Sequence, residues 1–200
     1  MTYRIERRAL LGGLAAVIAA PRAYAADRAG EVETSKGECY AQTEAARRAL
    51  APAADVFVGD SVGTGAQSAL GMHLGAATEV RLGQEARLRI DRFLVNAGGT
   101  LVLERGGMLF DHEAKAGSEE LSVRSPFGLI AVRGTRFFAG PSNGVFGVFV
   151  ERGAVTVVGV RIAVLLVSGQ GTNIAQPSAE PTSPVQWGAA RIKSAMASVS

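Results

Sequence analysis

The sequence predicts an all-β domain, a sandwich or short solenoid-like stack of about a dozen short strands, with a short C-terminal α-helix. Three observations carry this. Apolar residues recur at every second position in short runs: Val80 and Leu82, Leu88 and Ile90, Leu101 and Leu103, Leu121 and Val123. This is the period that turns one face of a strand into a core. Glycines at Gly59, Gly63, Gly65, Gly75, Gly106, Gly107, Gly153 and Gly169 punctuate the runs where chain reversal or positive φ is expected. No long helical pattern lies between them.

Residues 1–25 have the layout of a cleavable export signal. Arg4, Arg7 and Arg8 make a basic start, Leu10–Ala20 an apolar run, and Ala23-Tyr24-Ala25 a small-x-small cleavage site. The run is far shorter than the ~20 residues that cross a bilayer as a helix, so no transmembrane anchor is expected once the signal is removed. Arg7-Arg8 followed by Leu10-Leu11, the glycine-diluted run and Arg22 before the cleavage site resemble a twin-arginine signal. Cys39 follows Lys36-Gly37-Glu38 and not a lipobox. A soluble periplasmic protein is expected.

The signal also accounts for the apparent basicity. The whole chain has 21 basic and 18 acidic residues. Four of the basic residues and one acidic residue fall in the first 25, which leaves 17 of each sign. Nucleic-acid binding needs a cationic surplus, and the mature chain has none. A single cysteine closes no internal disulfide, so stability must come from burial and backbone pairing.

The β domain is expected over residues 26–175. The 38–50 stretch has helical propensity but is placed as extended chain on the resemblance given below. Val145–Val150, Ala154–Val160 and Ile162–Val167 lose the alternation and are expected to lie centrally, buried on both faces. Residues 176–184, with three prolines, read as a linker. A helix is expected over 185–199, with Ser183 as N-cap, Pro184 in the first turn and Gln186 completing a capping box. Ile192, Met196 and Val199 form an apolar stripe on it. That stripe and Trp187 either dock on the domain itself, the preferred reading, or bind a partner.

The stretch S-P-F-G-L-I-A-V-R-G-T-R-F (125–137) is the most distinctive. Pro126 fixes its own φ and ends or kinks a strand, and Gly128 lets the chain turn. Gly134 reads as a bulge or a close backbone approach, with Thr135 back in strand geometry. Arg133 and Arg136 would be re-aimed there towards a carboxylate such as Glu151. Together with V-G-D-S-V-G-T-G (58–65), T-E-V-R-L-G-Q-E-A-R-L-R-I (78–90), V-E-R-G-A-V-T-V (150–157) and V-S-G-Q-G-T (167–172), this order of motifs resembles the FecR family, named for the regulator of ferric citrate uptake. The resemblance covers most of residues 30–175. It implies a periplasmic, non-enzymatic signalling or interaction domain, here expected to be free-standing, without the sigma-factor-holding segment and membrane helix of family regulators. Pro126, Gly128, Arg133, Gly134 and Thr135 mark the fold motif.

The residues supply little chemistry of their own. His73 and His112 are far apart, and neither has a His or Cys partner at ligand spacing. Asp111-His112-Glu113 would split across the two faces of a strand. There is no nucleophile elbow, Walker loop or dinucleotide fingerprint. No catalytic residue, metal site or cofactor is therefore expected. The expected function is a sensory or adaptor module that binds an unidentified envelope or membrane protein, through sheet edges or through Trp187, Ile192 and Met196. The alternative is a glycan or cell-wall binding module, for which the chain has few aromatics. Sequencing the N-terminus of the exported protein should give Ala26 as its first residue; an exported chain still beginning near Met1 would refute the signal.

Overall fold

The computed structural model describes residues 27–93, 98–113 and 121–200. The expected signal, with Arg7, Arg8, Ala23 and Ala25, lies outside them. The chain builds two nine-stranded sheets, A and B, by moving repeatedly from one to the other. β1 (Arg28–Lys36) is in A, β2 (Cys39–Gln42) and β3 (Arg47–Ala49) in B, β4 (Asp55–Phe57) in A and β5 (Ser61–Thr64) in B. β6 (Ala69–Leu74) and β7 (Thr78–Leu82) pair in A, β8 (Arg87–Phe93) and β9 (Gly99–Arg105) in B. β10 (Met108–His112) is in A, β11 (Leu121–Ser125) and β12 (Gly128–Val132) are in B, β13 (Arg136–Ser142) and β14 (Val145–Arg152) in A. β15 (Ala154–Val158) and β16 (Ala163–Val167) end sheet B; β17 (Gln170–Ile174) and β18 (Val185–Gln186) end sheet A, followed by α1 (Ala189–Ala197).

Strand order in each sheet nearly follows sequence order, so the chain climbs a stack. Neighbours are antiparallel except β9 and β11, which run parallel. The eighteen strands among the described residues exceed the dozen or so expected. β3, β4 and β18 have two or three residues, too few to show a period, and β1 (R-A-G-E-V-E-T-S-K) is mostly polar. The 38–50 stretch is extended, as β2 and β3.

The core is the layer between the sheets. Val80, Leu82, Leu88, Ile90, Leu101, Leu103, Val123 and Val132 are all buried in it. Phe110 and Phe137 meet there at 5.2 Å between centroids. Sheet A also carries a second apolar row on its outer face, where Leu109 on β10 stands beside Phe138 on β13, and Phe138 beside Phe149 on β14. Trp187, Ala195 and Val199 cover that row, with Ile192 and Met196 packed against them.

The helix starts later than the sequence predicts. Val185–Gln186 pairs with Gln170–Gly171 as β18, so the Ser183–Gln186 capping box does not form. The N-cap is Gly188, which has no side-chain cap. Residues 176–184 are fastened to the domain: Thr182 N–H donates to Asn173 O, and Glu180 accepts from the Arg161 and Ile162 N–H groups.

Of the three continuous runs, β14 lies within sheet A, buried from Phe146 to Val150. β15 alternates, and β16 is the last strand of sheet B with Ala163, Leu165 and Val167 exposed. The expectation that all three are buried on both faces fails for the last two, because among the described residues no layer covers the outer face of sheet B here.

Trp187 stacks on Phe149 at 5.2 Å and lies over two glycines of the sheet. A Cβ at Gly171 would come within 2.3 Å of its Nε1 and 2.7 Å of Val148 O. Gly171→Ala should therefore lower unfolding free energy by about 1–3 kcal/mol, as overpacking does. A urea melt that does not move would refute this account of how the C-terminal segment docks.

Candidate interaction surface

The 125–137 motif turns out to be a hairpin followed by a corner between sheets. β11 and β12 join through Pro126-Phe127, with Ser125 opposite Gly128. Ser125 Oγ accepts from Phe127 N–H and donates to Gly128 O, each at 3.2 Å. Gly128 has φ +134°, and a Cβ there would press to 2.5 Å from Val158 O. Only glycine suits that position.

Arg133-Gly134-Thr135 carries the chain from β12 in sheet B to β13 in sheet A. Gly134 has φ +65° and is a close backbone approach rather than a bulge, its carbonyl 2.6 Å from where a Cβ on Gly153 would lie. The bulge lies on the partner strand β14: Arg136 faces Arg152 while Phe137 faces Val150, leaving Glu151 as the extra residue. It sets up the contact expected from sequence. Arg136 donates through Nε to Glu151 and through Nη1 to Asp111 Oδ2 at 2.8 Å, and Arg152 reaches Asp111 Oδ1 at 2.6 Å. The bonds to Asp111 and then Glu151 raise the pKa of Arg136 above its already high ordinary value. Arg133 is exposed and makes no ion pair among the described residues.

Thr135 is fully buried, its carbonyl accepting from His112 N–H while its Oγ1 finds no protein partner. His112 is buried, with Nδ1 2.9 Å from Thr78 Oγ1, and burial pulls its pKa below the ordinary histidine value. Asp111 and Glu113 do not share its face. Among the described residues no group of His, Cys, Asp and Glu is placed to hold a metal ion.

Of the residues singled out for partner binding, Trp187 is buried, and Ile192 and Met196 pack on the same cluster. Arg191 lies 3.6 Å over the indole and bonds Ser142 and Asn173, which closes the patch. An open cleft of about 480 Å³ lies beside the motif turn, where Phe127 stacks on Phe146 at 4.3 Å among Leu103, Pro126, Pro141 and Pro177.

The surface that sequence reasoning missed is the last edge of the stack. Val160, Ile162, Leu165 and Val167 are 67, 46, 59 and 43% exposed. With Val185 at the facing end of sheet A, they are the large exposed apolar side chains of the described residues. The outer face continues inward from Leu165 and Ala163 to Thr156 and Val158 on β15, then Ala131 and Leu129 on β12. One signal was available: the run Ile162–Val167 is the last apolar strand before the proline-rich segment, where a neighbour on the far side is lacking.

The first edge is built oppositely. β3 bears Arg47 and Arg48, and β4 begins at Asp55. Arg28 pairs with Asp55, Arg47 with Glu38, and Arg48 with buried Asp60.

Replacing Thr135 by Val removes a buried hydroxyl that no protein group satisfies and should raise unfolding free energy by about 1 kcal/mol. A loss of stability in a urea melt would show that the hydroxyl has a partner the fold depends on.

Residues 60–156 match the family model described as FecR protein. No curated protein matches the sequence. Two crystal structures of a candidate anti-sigma factor from Parabacteroides distasonis, at 1.65 and 2.50 Å resolution, share the fold. Each gives a TM-score of 0.57 at 15% identity, over 66% of this chain and 62% of that one. The match thus spans less than two thirds of that protein, and at this identity the likeness is one of fold. The matched segment opens just before β5 and closes within β15, so the stack extends past it at both ends. Within the two-sheet sandwich of this chain, residues 60–156 form the segment that is similar to the FecR family.

Proposed function

We propose that this protein is an exported, periplasmic module that binds another protein and acts as a sensor or adaptor in envelope signalling, without chemistry of its own. The observation that carries this reading is the exposed apolar end of the stack at β16. Sheet edges with free N–H and C=O groups pair readily with another strand. Apolar side chains beside such an edge supply the burial that holds the pairing. The export signal layout supports the compartment, and the FecR domain supports a signalling role.

The glycan-binding alternative gains less. The cleft at Phe127 and Phe146 exposes mostly apolar surface, with Glu104, Arg105 and Gln176 as its polar side chains, whereas a sugar needs polar groups all around it to replace its water.

A photoreactive side chain at position 165 tests the reading in intact cells, with a second at Ala49 on the charged first edge as control. The expected outcome is a discrete protein adduct from 165 that Ala49 does not give. Absence of any adduct from 165 would overturn the proposal.

A further inference from the structure

Four strands end the two sheets, and three of them are blunted. β3 has three residues, two of them arginines; β4 has three and begins with Asp55; β18 has only two. β16 is different: Ala163-Val164-Leu165-Leu166-Val167 carries no charge, proline or glycine. Natural sheet edges usually include such protection unless something covers them.

The backbone of β16 shows what could cover it. Gly159 N–H donates to Ile162 O at the β15–β16 turn, and Val158 then faces Ala163. Backbone groups alternate sides along an antiparallel ladder. Val164 and Leu166 therefore bond to β15, while Ala163, Leu165 and Val167 turn their N–H and C=O groups outward. Val167 confirms the parity, since its N–H meets the side chain of Gln170 at 3.2 Å instead of β15. The outward groups are placed symmetrically about Leu165.

We propose that two copies of this protein pair antiparallel through β16, on a two-fold axis passing through Leu165. This rests on reading that edge as a protein-binding surface, and it names the occupant. In this register Leu165 faces itself and Ala163 faces Val167 of the second copy, so each outward N–H meets an outward C=O. Gln170 gives up the Val167 N–H to the facing Ala163 carbonyl. On the outer face the small alanine stands opposite the larger valine, and the two leucines meet on the axis. The nearest charge, Arg161, is 85% exposed and falls opposite Gly169, so no like charges are brought together. Self-complementarity of this kind is what an isologous interface requires. The paired sheets B become one continuous sheet.

Analytical ultracentrifugation of the exported, signal-free protein tests this directly. Wild type should sediment as a dimer. Leu165→Lys and Leu165→Glu each place like charges on the axis and should each weaken association at least ~10-fold. An equimolar mixture of the two should recover the dimer, since position 165 faces itself. Leu165 is largely exposed, so both variants should keep the wild-type circular dichroism spectrum; Val167→Lys serves if either does not. A monomeric wild type, a dimer indifferent to these charges, or a mixture that stays monomeric would overturn the pairing. A monomer whose position 165 still crosslinks to a different envelope protein would overturn the self-pairing and leave the proposed function standing.

Discussion

A single layer of apolar side chains, shared by two sheets, holds this molecule together. The only cysteine, Cys39, is free, so nothing covalent supports the fold. Each strand gives alternate residues to the layer, and burial of that kind contributes about 25 cal/mol per Å² of apolar surface removed from water. The chain cannot stay long in one sheet and still fill both sides of the layer. It crosses repeatedly, and the crossings dictate the unusual backbone. Gly134 stands at one such corner, where its carbonyl and the backbone of Gly153 approach too closely for a side chain. The family motif therefore records a geometric requirement of the crossing: a two-residue turn at Pro126-Phe127, a strand, and a corner at Gly134.

Where a strand has one wet face, its sequence shows it. Val80, Leu82, Leu88 and Ile90 alternate with arginines and lie in the core as their spacing requires. The pattern fails where tertiary context supplies a second cover or removes the first. Leu109, Phe138 and Phe149 break the alternation because α1 and Trp187 bury the outer face of sheet A. The run at β16 looks the same in sequence and means the opposite, since Leu165 and Val167 face solvent. Hydrophobicity alone does not say which side of a sheet has a neighbour. Of the two readings open for Gly134, a bulge or a close backbone approach, the second holds: Gly134 has the φ of a bulge residue but spends it on a change of sheet, and the bulge lies on β14 at Glu151, opposite Arg136 and Phe137. The ion pair between Arg136 and Glu151 was legible even so, because either geometry swings that side chain towards the neighbouring strand.

The two ends of the stack solve the edge problem differently. At the first end, short strands and ion pairs leave little for another strand to join. Those pairs are mostly exposed and add little stability, so their effect is chiefly to discourage pairing. At the last end the protection stops at the turn, where Glu180 holds the Arg161 and Ile162 N–H groups. β16 itself is left bare. This asymmetry is a property of the ends, outside the segment that matches the family model, which closes at residue 156.

The C-terminal segment narrows the choice of binding surface further. Its apolar stripe and Trp187 are used within the domain, and Arg191 over the indole seals the contact. The apolar row on the outer face of sheet A is thereby covered, while sheet B keeps a largely apolar outer face running from Leu129 to Leu165. Over residues 26–200 the formal charges balance, so long-range steering adds little to an association of this part of the chain. Recognition at β16 must instead draw on short-range backbone pairing and burial. Those interactions favour a partner strand whose hydrogen-bonding groups and side-chain sizes match in register, and a strand symmetric about Leu165 meets that condition with its own copy.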